Sequence, residues 1–117
     1  MIIKYNFTED VVCSRDRTGR VVTNVPPVVY APWVPVPKRP GFKWGADGRR
    51  QSAFAISILL LFTDEETVKS LYARFKWRYV VSLPPSGGII KRCDIIEFLV
   101  RRAQKEGWQI EYPHPGI

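Results

Sequence analysis

The sequence predicts an α+β fold, with a three-helix core and a small antiparallel sheet from an N-terminal hairpin, to which a C-terminal strand is an optional addition. Two patterns support this prediction. Two β-branched runs near the amino terminus flank a turn-forming tetrapeptide. Three later stretches repeat apolar residues at helical spacing. The 117 residues, 45% of them hydrophobic, suit one packed domain.

We expect that single domain to span residues 1–117. Its segments are a hairpin region (1–25), a proline-rich extended strap (26–40), a helical core (41–107), and a strand with a tail (108–117). In the hairpin, Val11–Cys13 and Arg20–Thr23 flank Asp16–Gly19, with glycine at the strained turn position. Ile2–Phe7 is a candidate third strand. The strap's six prolines favour extended backbone lying across the core.

Three helices are predicted in the core. Gln51–Thr63 is apolar nearly all round, which is typical of a buried central helix, although a buried strand is the competing interpretation. Asp64 is the expected N-cap of a second helix, which ends near Ser82. Lys91–Glu106 is the third helix. The expected buried stripes are Val68, Leu71, Tyr72, Phe75 and Tyr79 in the second helix, and Ile95, Ile96, Leu99, Val100 and Ala103 in the third.

The segments around the third helix are predicted to be irregular or extended. Ser86–Gly88, before the helix, reads as a loop. Gly107 is the expected C-terminal stop. After it, Trp108–Tyr112 alternates in the manner of a last strand. The sequence leaves open whether this strand joins the hairpin in one sheet.

Charge and targeting signals limit the classes of partner. The formal net charge of +7 favours DNA, RNA or an acidic protein surface, with plain solubility as the alternative. Cys13 and Cys93 are isolated, which fits a reduced compartment. The amino terminus lacks a signal-peptide pattern, and Ala53–Phe62 is about half the length needed to span a bilayer. We therefore expect a cytoplasmic protein with no membrane partner.

One half of the chain carries a family pattern. It consists of Gly41-Phe42-x-Trp44-Gly45, Ala55, Ile58-Leu59, Leu71-Tyr72-x-x-Phe75-Lys76-Trp77, Leu83-Pro84, Ile90 and Asp94-Ile95. Over residues 41–99 the sequence thus resembles an uncharacterised domain family of phages, archaeal viruses, plasmids and other mobile elements. The resemblance implies an accessory protein of a virus or mobile element inside a host cell, and it carries over no catalytic residue.

Two departures from that family's pattern place cations at helix starts. The family runs Gly-Gly-x-Gly-Pro into its first helix and Thr followed by an acid into its third. Helix N-termini carry partial positive charge and unpaired amides, so added cations become favourable once an anion binds. Solvated loop charges are the alternative. The predicted nucleic-acid-binding residues are Arg49, Arg50, Lys91, Arg92, Lys43 and Arg39, with Lys38 beside them.

Two further groups have structural explanations. Cations complement the dipole at the end of the third helix, which accounts for Arg101, Arg102 and Lys105. Four aromatics are assigned to core packing rather than to base stacking: Phe42, Trp44, Phe75 and Trp77.

No pattern indicates enzyme chemistry. His114 is the only histidine, the serines lack a neighbouring base, and no cysteine pair suggests a metal site. The glycine loops match neither nucleotide-binding pattern. We expect a non-enzymatic protein without a cofactor. Two functions then nearly tie: binding of nucleic-acid backbone, or a protein-interaction module that binds and alters a host or defence protein. Either is compatible with a homodimer.

Overall fold

The structure, a computed structural model, describes residues 1–26, Trp33 and residues 41–111. Most of the predicted strap, including Lys38 and Arg39, lies outside the described residues, as do Tyr112 and the tail with His114.

A three-stranded antiparallel sheet consists of β1 (Val11–Arg15), β2 (Val21–Thr23) and β3 (Gly88–Ile90), with β1 in the middle. Cys13, at the centre of β1, lies opposite Thr23 of β2 and Gly88 of β3. Because one face of β1 is buried through Val11 and Cys13, the sheet packs that face on the helices.

The predicted hairpin turn is confirmed. The Asp16 carboxylate accepts hydrogen bonds from the Thr18 hydroxyl and amide and from the Arg20 amide, at 2.7–3.0 Å. These bonds, the Thr18 hydroxyl first, lower the pKa of Asp16. Gly19 has a φ of 83°, which is the left-handed conformation expected of the turn glycine.

The prediction for the third strand was wrong. Gly88 was assigned to a loop, yet it begins β3, whereas Ile2–Phe7 and Trp108–Tyr112 contribute no strand to the sheet within the described residues. A three-residue strand is too short to show a period of two in sequence. Ile2 instead forms an isolated parallel bridge to Glu111. The first residues of the chain therefore meet residues 109–111, the last that the structure describes, outside the sheet.

Three helices are confirmed, with shifted ends. The first, α1, is Arg49–Leu60, two residues earlier at its start and three at its end than predicted. Every residue in Gln51–Leu59 is buried, so α1 is the central element and the strand interpretation is excluded. The second helix, α2, is Glu65–Phe75. Its N-cap is the predicted Asp64, whose carboxylate accepts from the Thr67 amide at 3.2 Å.

The second helix was predicted to run to about Ser82, but regular α-helix ends at Phe75. A π-helical segment, Lys76–Val80, follows α2 directly, and the Val81 amide donates to the Lys76 carbonyl at 2.9 Å. This i→i+5 bond widens the turn by one residue. The predicted stripe residue Tyr79 is half-buried and packs against Phe75 at 5.0 Å between ring centroids.

The third helix, α3, is Arg92–Glu106. It ends as predicted at Gly107, whose φ of 73° closes the helix. Ile95, Leu99 and Ala103 are buried as expected, but the stripe also includes Phe98. The observed architecture is therefore the predicted α+β class, three helices beside a small antiparallel sheet, with a different third strand.

Candidate functional site

A groove between two helical elements is lined by five basic side chains. One wall is α2 with the π-helical segment, and the other is α3. The lining residues of this basic groove are Arg74, Arg78, Phe98, Arg101, Arg102 and Lys105, around a volume of about 240 Å³. An adjoining hollow of about 280 Å³ shares Arg78, Phe98 and Arg101 and adds Tyr79, Asp94 and Glu97.

Aromatic packing fixes the walls of the basic groove. The ring of Phe98 in α3 lies 5.4 Å from that of Phe75 and 6.1 Å from that of Tyr79, both in edge-on geometry. Burial raises the pKa of Tyr79. Since Tyr79 lines the hollow beside Asp94 and Arg74 lines the groove beside Lys105, the two walls run in opposite directions.

Helical spacing then aligns the cations. Arg74 and Arg78 are four residues apart, as are Arg101 and Lys105, so each pair projects from one side of its element. Neither pair is informative alone, because exposed Lys and Arg are common on helices. Packing α3 against the π-helical segment brings the two pairs into one groove.

Not all of these cations are neutralised by the chain's own acids. Arg101 pairs with Glu97 at 2.5 Å and Arg102 with Glu106 at 3.8 Å, both four residues apart on α3. Among the described residues no ion pair is formed by Arg74, Arg78 or Lys105. The basic groove therefore retains positive charge that an external anion would neutralise.

The predicted site at the start of α1 already contains an acid. Gly48 precedes the helix without a side-chain cap, and the Asp47 carboxylate accepts from the Gly48 amide at 2.9 Å. Lys76 holds that carboxylate at 2.7 Å, and this contact lowers the pKa of Asp47.

The predicted cations near α1 differ in burial. Arg49 is exposed, whereas Arg50 is half-buried and its Nε has no hydrogen-bond partner among the described residues. Lys43, which precedes these residues in the chain, is also exposed.

The predicted site at the start of α3 is likewise occupied by the chain itself. Lys91 is the exposed N-cap residue. The Arg92 amide donates to the Asp10 carboxylate at 2.8 Å, and its Nε donates to the Phe7 carbonyl at 2.9 Å. The guanidinium lies over the Tyr5 ring at 5.5 Å. Arg92 is thus largely committed to contacts within the fold.

The two helix starts have neighbours at opposite ends of β1. The partner of Arg92, Asp10, immediately precedes β1. The segment leading into α1 is held at the other end of β1, where Arg15 lies over the Trp44 ring at 5.3 Å. Arg39, the remaining predicted residue, lies outside the described residues.

Of the four aromatics assigned to packing, one does not pack. Trp44 and Phe75 are buried and Phe42 is half-buried, as expected. Trp77 is 57% exposed, so the packing assignment was wrong for this residue. It belongs to the π-helical segment that forms one wall of the basic groove.

The described part of the chain has neither a metal-binding cluster nor a membrane-spanning helix. Within residues 1–26, Trp33 and 41–111, no three His, Cys, Asp or Glu side chains are grouped so that they could hold a metal ion. The helices formed by these residues are all too short or too polar to cross a membrane.

Comparison with known proteins identifies the family. The family described as "Family of unknown function (DUF6166)" matches residues 8–101. The chain belongs to this family. The match is wider than the predicted resemblance over residues 41–99, because it also takes in the hairpin and two more residues of α3. Searches of curated proteins and of solved structures found no match to this DUF6166 member.

Proposed function

We propose that this protein binds the phosphate backbone of nucleic acid in the basic groove and is not an enzyme. The observation that carries the proposal is the convergence of five cations from two elements on one groove. Arginine guanidinium groups match phosphate oxygens in a planar, two-pronged geometry, and four of the five cations are arginines.

The state of the individual side chains supports this choice of groove over the helix starts. Arg102 is 22% exposed and is paired with Glu106. Arg74, Arg78 and Lys105 are exposed and have no carboxylate partner among the described residues, although the Arg78 guanidinium lies over the Tyr79 ring at 5.3 Å. The acids within reach, Asp94, Glu97 and Glu106, are fewer than the cations. We retain the helix-start residues as a second set to be tested.

The biological setting is a further part of the proposal. From the resemblance over residues 41–99, we propose an accessory protein of a virus or mobile element that works inside the host cell. We propose binding rather than catalysis because the sequence offers no nucleophile–base pair.

Fluorescence anisotropy with labelled DNA and RNA, across a salt series, tests the proposal. Each phosphate contact adds about 0.7 (single strand) to 0.9 (duplex) to the slope of log affinity against log salt. Replacing Arg74 and Arg78 together by alanine should therefore lower the slope by roughly 1.4–1.8. Arg17→Ala with Arg20→Ala removes the same charge from the exposed hairpin turn and serves as the matched control.

The results separate the candidate sites. Loss of affinity in the Arg74/Arg78 variant but not in the control supports the basic groove. Loss in Arg49→Ala with Arg50→Ala instead would move the site to the start of α1. No binding at low salt, or equal effects in all three variants, contradicts the proposal.

A second candidate function is a protein-interaction module that binds and alters a host or defence protein. The outer face of the sheet favours it: Val12, Val22 and Ile89 are 40%, 48% and 62% exposed and border one open depression. Exposed apolar patches of this kind mark protein contacts. Absence of nucleic-acid binding, together with host-protein capture that Ile89→Asp abolishes, would favour this function.

A further inference from the structure

Trp77 is a large aromatic side chain that does not pack in the core. It is 57% exposed, although tryptophan is on average among the more buried residues. It lies three residues after Arg74, so on the helix surface it neighbours Arg74, which lines the basic groove, although Trp77 itself is not among the lining residues. The position places an aromatic surface at the edge of a row of cations.

The Trp77 ring has a fixed neighbour. The Lys76 ammonium lies 5.7 Å from the ring centroid. Lys76 itself is held by Asp47 at 2.7 Å and by the Ser52 hydroxyl at 3.3 Å, and its side chain is only 11% exposed. A charge held in this way near the ring restricts where the ring lies, so less conformational freedom is lost when a planar group stacks on it.

We propose that the basic groove takes single-stranded nucleic acid, with phosphates on the arginines and an unpaired base stacked on Trp77. This inference rests on the proposed function and names its ligand class. The combination of a basic groove with an exposed aromatic platform is what single strands require, because their bases are free to stack on protein. In a duplex the bases are stacked on one another, so Trp77 would gain little from it.

Binding of a labelled oligothymidylate and of a duplex of equal length tests the inference. Stacking of one base contributes about 1–3 kcal/mol, so Trp77→Ala should weaken single-strand binding at least ~5-fold and leave duplex binding unchanged. Trp77→Phe, which keeps an aromatic face, should recover most of the loss. Ile89→Ala, which trims another exposed apolar side chain away from the groove, is the matched control and should bind as wild type.

A spectroscopic readout distinguishes stacking from a structural effect. Oligothymidylate should quench part of the tryptophan emission, and this quenching should disappear in Trp77→Phe. Trp44 cannot supply the same signal, because it is 2% exposed. Circular dichroism verifies that each variant is folded.

The outcomes are separable from failure of the proposed function. Equal affinity for single strand and duplex, with no effect of Trp77→Ala while the Arg74/Arg78 variant loses binding, overturns the inference and leaves phosphate binding intact. No binding of either probe overturns both. Displacement of oligothymidylate by polyglutamate at equal charge concentration also overturns the inference, and shows that the groove recognises acidic polypeptide.

Discussion

Gly87 should be the glycine whose replacement damages the fold most severely. A Cβ at Gly87 would lie 2.0 Å from the Cys13 carbonyl oxygen of β1, and its φ is 101°, which side chains rarely adopt. The obstacle is backbone rather than a flexible side chain, so it yields only if β3 moves away from β1. Gly87→Ala thus tests the close approach on which the third strand depends.

The loss in free energy of unfolding caused by Gly87→Ala can be worked out from these contacts. Opening β1 from β3 puts at risk about two or three hydrogen bonds at roughly 1 kcal/mol each. The backbone conformation adds about 1–3 kcal/mol of strain. The total of about 3–6 kcal/mol is a large part of the roughly 6–18 kcal/mol expected for a chain of this length. Gly107→Ala is the matched control: its φ is 73°, nothing lies within 4 Å, and it should cost only about 1–2 kcal/mol.

Urea denaturation followed by circular dichroism measures both variants. With a slope of about 2 kcal/mol per molar urea, Gly87→Ala should lower the midpoint by about 1.5–3 M and Gly107→Ala by about 0.5–1 M. If the two midpoints fall equally, the strands do not approach each other as closely as described, and the reasoning about β3 is refuted.

Two other predictions concern titratable groups. Burial alone would raise the pKa of Asp64, but hydrogen bonds from the Ile2 amide and from Thr67 lower it to about 2. Its stabilisation is therefore present above its ordinary value of 3.8 and is lost as the pH falls through about 2. Asp64→Ala should cost about 1 kcal/mol at pH 7, and a difference from wild type that did not shrink toward pH 2 in urea titrations would count against this account. Burial raises the pKa of Cys13 to about 12, whereas Cys93 is exposed. A thiol reagent at pH 8 should therefore label one cysteine rapidly, and Cys93→Ser should remove that fast phase; fast labelling in that variant would contradict the burial of Cys13.

Local signals were sufficient for most of the fold. The turn at Asp16–Gly19, the capping residue Asp64 and the stop at Gly107 each act on their immediate neighbours, so a single sequence contains the information. The third strand could not be predicted from local signals, because β3 forms by pairing with β1, more than seventy residues away in the chain. The π-helical segment was also not predicted, and its first residue, Lys76, is held by Asp47 from outside the helix.

The basic groove was beyond sequence reasoning for a different physical reason. Its residues were visible as charges, and those at the end of α3 had an adequate explanation in the helix dipole. What made them a candidate site is that Phe98 packs on Phe75 and Tyr79 and so sets α3 beside Arg74 and Arg78. The spacing of four residues within each cation pair was the only local signal, and it is too common to be specific.

The helix starts make contacts that one segment of the chain does not reveal. From the local sequence, the amides at the start of α3 count as unpaired, and Lys91 and Arg92 are expected to need an anion. The Arg92 amide in fact donates to Asp10, 82 residues away, and that carboxylate supplies the negative charge within the fold. At the start of α1 the Asp47 carboxylate accepts from the Gly48 amide and is paired with Lys76, and among the described residues no side chain caps the helix. Arg74, Arg78 and Lys105 have no carboxylate partner among the described residues. This unbalanced positive charge is the reason to test the basic groove before the helix starts.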